Sequence, residues 1–144
     1  EPRQHATLRI SIGSEGFCHS RKTYKPNTAS EIAQLKLNAE WVILSACNTA
    51  HAESAGAEGL SGLAKAFFYA GSRALLVSHW PVESQSATEL TRGMFEALKT
   101  NPAMGRSEAL RRSMFKLAAN DNHPHWAHPA FWAPFVVVGE GARR

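Results

Sequence analysis

The sequence predicts an α/β fold of three layers, in which helices cover both faces of a mostly parallel central sheet. Three observations carry that expectation. Trp41-Val42-Ile43-Leu44, Ala74-Leu75-Leu76-Val77 and Phe135-Val136-Val137-Val138 are continuous apolar runs of strand length, as expected where a strand is buried on both faces. The segments between them place apolar residues at helical spacing. Strands and helices alternate across short connections, the pattern of parallel βαβ units.

Taken in order, Leu8, Ile10 and Ile12 alternate with polar residues and predict a strand near a sheet edge, ended by Gly13. Ser14 to Asn27 mixes Gly, Ser, Pro and basic residues without a period, so it reads as a surface loop, and Cys18 lies on it. Thr28 and Glu31 have capping-box spacing, and Ile32 and Leu35 can face a core, which predicts a helix over 29–35. The run at 41–44 is the second strand. Leu60, Leu63, Ala64, Phe67 and Phe68 then trace one face of a helix of about three turns, with Gly71 as its stop. After the strand at 74–77, Ala87, Leu90, Met94 and Leu98 line a helix that must end before Asn101-Pro102. Leu110, Met114 and Leu117 point inward from a further helix over 107–119, and Phe135 to Val138, closed by Gly139, forms the last strand.

Length and composition limit the function classes. A chain of 144 residues, 44% hydrophobic and 19% charged, suits one domain with a packed core. Its longest apolar stretch, Phe131 to Val138, is eight residues and contains Pro134, too short for a membrane span. Glu1-Pro2-Arg3-Gln4 has neither an initiator Met nor an apolar leader, so residue 1 reads as a cut, with more sheet expected upstream. Two cysteines without a CxxC pair fit a reducing, cytoplasmic compartment. The net charge of +4, drawn partly from Arg21, Lys22, Lys25, Arg143 and Arg144, accompanies no nucleic-acid-binding motif. Neither GxxxxGK[ST] nor GxGxxG occurs, so no nucleotide cofactor is expected. His123, His125 and His128 stand on a Pro-rich connection, a weak metal signal, and no metal site is assigned to them. Arg111, Arg112 and Lys116 read as the solvated face of the last helix.

In open α/β sheets ligands gather outside the carboxyl ends of the strands, and the segment after Leu44 is Ser45-Ala46-Cys47-Asn48-Thr49. Cys47 therefore occupies a nucleophile's position, next to small residues that let a substrate approach. A thiol attacks only as thiolate, which calls for a nearby base or positive field. Position alone leaves a second reading open, a structural cysteine at a strand end.

The wording around it adds to this. The stretch from Ala29 to Thr49, ending Trp41-Val42-Ile43-Leu44-Ser45-Ala46-Cys47-Asn48-Thr49, resembles the nucleophile segment of CHAT-domain proteins, a caspase- and separase-related family often fused to tetratricopeptide repeats. Glu58 to Arg73 is similar to the helix that follows that segment in the family. Val77-Ser78-His79-Trp80-Pro81-Val82 resembles its next strand end and Trp-Pro loop, and His128 to Gly139 its closing strand. The resemblance runs in one order from about 28 to 139, and it implies that residues 1–144 are the C-terminal part of a single caspase-like domain.

The resemblance implies a cysteine endopeptidase acting on a protein or peptide substrate, with Cys47 as nucleophile and a histidine from an earlier strand end as general base and acid. In the family that histidine is followed by a glycine whose N–H helps to hold the oxyanion. No His-Gly dipeptide occurs here. His5 lies 42 residues before Cys47, but Ala6 follows it and four residues precede it, so the base is expected upstream of residue 1. Substrate selection is expected from Ser45, His79, Trp80, Glu83 and Ser84. Where arginine-selective relatives carry an acidic residue after the Trp-Pro motif, Ser84 is the match and Glu83 stands one position early. The upstream part of the domain and helical repeats of the parent protein are the implied partners. The alternative is a catalytically inert CHAT module acting in protein interaction.

Overall fold

A computed structural model describes residues 7–10, 29–44 and 58–141. The expected loop at 14–27, the cap at Thr28, His5, Ser45 and Cys47 lie outside the described residues. The elements are β1 (Thr7–Ile10), α1 (Ala29–Ala33), β2 (Trp41–Leu44), α2 (Glu58–Tyr69), β3 (Ala74–Ser78), α3 (Ser84–Thr100), α4 (Arg106–Ala118), two short 3-10 helices (Pro124–Ala127 and Pro129–Phe131) and β4 (Phe135–Gly139). Each expected strand and helix is present, with ends shifted by a residue or two.

The strands form one sheet in the order β1-β2-β3-β4, with β1 outermost among the described residues. β1 and β2 are parallel, as are β2 and β3, each joined through a helix-containing crossover. β4 runs antiparallel to β3, so the sheet is mostly parallel with one antiparallel pair, whose place the sequence did not indicate. The reason is the number of intervening helices. One helix returns the chain to the end of the sheet where the next parallel strand starts, whereas α3 followed by α4 travels away and back again. β4 therefore starts at the end where β3 finished, and Ser78 lies opposite Phe135.

Packing explains the continuous apolar runs. Trp41, Ile43, Ala74, Leu76 and Phe135 join Leu90 and Met94 of α3 and Ala109, Leu110 and Leu117 of α4 in one core. Val42, Leu44, Leu75 and Val77 turn the other way, toward Ile32 of α1 and Ala64, Ala66 and Phe67 of α2. Successive strand residues point to opposite faces, so a strand with a core on each side has no position for a polar residue. Phe68 departs from its expected core position. It is 36% exposed, because Ala66, Phe67 and Ala70 complete the buried face of α2 while Phe68 lies at its border, against Gly139.

Among the described residues two glycines adopt left-handed backbone, Gly71 (φ 95°) after α2 and Gly139 (φ 96°) at the end of β4. A Cβ on Gly71 would stop 3.4 Å from Asn38 N, but on Gly139 it would lie 2.6 Å from the Arg73 carbonyl oxygen and 2.9 Å from the Phe68 ring. Gly71→Ala should cost only the conformational penalty of about 1 kcal/mol, and Gly139→Ala about 3 kcal/mol because backbone must also shift. Urea unfolding of both variants checks this, and equal midpoints would refute the steric account.

Charge gathers at the amino ends of the parallel strands. The Arg106 side chain, 8% exposed at the start of α4, donates to Glu140 O at 3.0 Å, approaches the carboxylates of Glu140 (3.5 Å) and Glu40 (3.4 Å), and lies 5.2 Å from the centre of the Trp41 ring. Arg73 reaches the same two carboxylates, at 3.7 Å to Glu40 and 3.5 Å to Glu140. On the outer face of α4, as read from the sequence, Arg111, Arg112 and Lys116 are exposed, paired with Glu108 and Glu96.

Candidate functional site

Register decides which loops meet. Ile10 lies opposite Leu44, Leu44 opposite Val77, and Ser78 opposite Phe135. The segments that follow β1, β2 and β3, and the one that precedes β4, thus border the same end of the sheet. This is the end outside the carboxyl termini of the parallel strands, where α/β sheets hold their ligands.

His79, Trp80, Glu83 and Ser84 of the expected substrate-binding set are brought together on the connection from β3 to α3. His79 is exposed, and its backbone N–H donates to Pro134 O at 3.0 Å. Trp80 is 43% exposed, with its indole N–H donating to Ala130 O at 3.1 Å. With that donor engaged, the indole surface that Trp80 leaves exposed is apolar. Glu83 precedes α3. Its carbonyl accepts from Ser86 Oγ at 2.9 Å and from Ala87 N at 3.0 Å, tying its backbone to the helix. Ser84 opens α3, exposed, with its carbonyl accepting from Thr88 Oγ1 at 2.7 Å.

The Glu83 side chain makes no cap bond to α3. One carboxylate oxygen instead accepts from the Trp126 indole N–H at 2.7 Å, with His125 Nε2 3.9 Å away. Trp126 is fully buried. Sequence reasoning passed over Trp126 and Ala130 because they sit among histidines and prolines in a stretch without periodicity. The only sign of Trp126 was a large apolar residue with a polar handle inside a polar segment.

The three histidines around it face different partners. His123 stacks on Trp126 with ring centres 3.9 Å apart, His125 meets Phe131 edge-on at 5.3 Å, and His128 Nδ1 accepts from Ala130 N at 3.2 Å. Among the described residues, no group of three His, Cys, Asp or Glu side chains is arranged to hold a metal ion. No helix among them is long and apolar enough to cross a membrane.

A cavity of about 390 Å³ lies at the opposite end of the sheet, lined by Asn101, Met104, Gly105, Ser107, Glu108 and Arg112. Hydrogen bonds from Arg111 and Arg112 hold the Glu108 carboxyl down at about 2, well below the usual carboxylate range. The charges there are already paired with one another, and none of them calls for a ligand.

Comparison with known proteins adds a family. The CHAT domain model matches residues 17–140. Tetratricopeptide repeat protein 28 of Mus musculus is 27% identical over 116 residues, 81% of this chain and 4% of that protein. The Homo sapiens protein of the same name is 26% identical over 116 residues, with the same coverage. The chain thus spans a small fraction of the curated relatives it matches. No solved structure matches it.

Proposed function

Because this chain belongs to the CHAT domain family, which is related to cysteine peptidases, we propose that it is the nucleophile-bearing C-terminal part of a single caspase-like endopeptidase domain. One observation carries the reading: parallel pairing of β2 with β3 sets Leu44 opposite Val77, so the connection bearing His79, Trp80 and Glu83 starts beside the strand that leads to Ser45 and Cys47.

In this reading the Cys47 thiolate attacks the scissile carbonyl carbon, and the oxyanion is held by backbone N–H donors. A C–S bond forms as the C–N bond breaks. The amine leaves with a proton from an imidazolium contributed by the chain upstream of residue 1. Water then attacks the thioester, losing its proton to the same imidazole, which releases the acid and restores the thiol. Ser45, His79, Trp80, Glu83 and Ser84 flank the substrate. Tetratricopeptide repeats are named in both relatives, and helical repeats in the parent protein would recruit or restrain the substrate.

A second reading, an inert CHAT module in protein interaction, draws on the absence of a His-Gly dipeptide from the chain. The pH dependence of Cys47 alkylation separates the two, with Cys18 as internal reference in the same peptide digest. An activated Cys47 should react well below the ordinary thiol pKa of about 8.5 in an N-terminally extended protein. Ordinary titration of both cysteines there would favour the inert module.

A further inference from the structure

Three hydrogen bonds fasten the β3–α3 connection onto the segment between α4 and β4. They fall at its beginning, middle and end: His79 N to Pro134 O, Trp80 Nε1 to Ala130 O, and Trp126 Nε1 to the Glu83 carboxylate. The third differs in construction. Trp126 is fully buried in the core that holds Leu90 and Met94 of α3, and the His123 ring stacks on it, so the indole is held in one orientation. Its acceptor is a carboxylate, and charge-assisted bonds of this kind are short and strong.

The carboxylate has a competing use. A Ser, Thr, Asp or Asn preceding a helix turns its side chain onto the first free N–H groups, a cap that contributes about 1 kcal/mol, whereas the longer carboxylate of a Glu can reach farther. Glu83 makes no such bond, and its side chain serves the connection instead. Its backbone belongs to α3 and its side chain to Trp126, so the loop ends at a fixed point. Trp80, three residues earlier, hangs on the same frame and is 43% exposed.

We propose that Trp126 is a positioning residue: acting through Glu83, its indole N–H sets the conformation of residues 79–83 and thereby where the Trp80 ring stands at the carboxyl end of the sheet. The consequence for substrate selection rests on the peptidase reading above; the clamp itself does not.

The test uses the full-length protein and three variants. Trp126→Phe keeps an aromatic ring and deletes the donor, Glu83→Leu deletes the acceptor, and Glu83→Gln keeps an acceptor oxygen. Hydrogen exchange in peptides covering 79–86 should accelerate by about tenfold or more in Trp126→Phe and Glu83→Leu, and stay within about twofold of the parent in Glu83→Gln. Peptides from β2 and α4 should not change. On a fluorogenic peptide cleaved by the parent, Trp126→Phe should raise KM by about threefold or more with kcat nearly constant, while the Glu83 variants, at a residue that flanks the substrate, are read by exchange alone.

Unchanged loop exchange in Glu83→Leu overturns the proposal, and so does acceleration spread equally over β2 and α4. Because Glu83 is half-exposed, its variants decide the matter even where Trp126→Phe fails to fold. Accelerated exchange with an unchanged KM overturns the positioning of Trp80. Absence of any cleavage by the parent strikes the peptidase reading alone, and exchange still decides the clamp.

Discussion

Cys47→Ala is expected to lower peptide turnover by the full-length protein by about a thousandfold or more, with Cys18→Ala within about twofold of the parent. The size follows from the proposed mechanism. Without the sulfur no thioester forms, and what remains is water attacking a carbonyl polarised by backbone donors. The contrast between the two cysteines comes from the family resemblance, which matches Cys47, soon after the end of β2, to the nucleophile and gives Cys18 no such role. Turnover measured on a fluorogenic peptide, with circular dichroism to confirm folding, checks the pair. Equal activity in Cys47→Ala would refute the nucleophile assignment and leave the inert interaction module as the better reading.

Arg106→Ala should destabilise the fold by about 3 kcal/mol, seen as a lower urea midpoint. Its guanidinium is buried against Trp41 and shared between Glu40 and Glu140, which come from the starts and ends of different strands. Removing it takes away one of the cations that Glu40 and Glu140 face and opens space beside the indole. Half-exposure of Glu140 tempers the loss, so the figure stays at the lower end for a broken buried pair. Arg106→Met, which keeps packing on Trp41, should lose about half as much. Arg111→Ala on the exposed face should leave the urea midpoint nearly unchanged, even though its bond to Glu108 is shorter, at 2.7 Å. A loss as large at Arg111 as at Arg106 would refute burial as the deciding factor.

The family and the elements were legible from local features. Trp41 to Leu44 reads as a two-sided strand because four adjacent apolar residues leave no face for water, and both cores are there to receive them. Leu90 and Met94 were legible at helical spacing because α3 buries one stripe only. Phe68 was misjudged because the spacing of apolar residues marks a face but not its border, and the border depends on where β4 stops. Of the candidate site, His79, Trp80, Glu83 and Ser84 were proposed from one contiguous motif. Trp126 could not be, since its partner is 43 residues away.

By itself, then, the sequence determined where the described strands and helices lie and which family the chain resembles. These follow from composition and spacing within some twenty residues, where hydrophobic period and backbone propensity act. The tertiary structure alone decided the direction of β4, the charged cluster around Arg106 and the bond between Trp126 and Glu83. Each of these joins residues distant in the chain, and their meeting depends on how many helices lie between two strands and on which side chains the two cores leave facing one another.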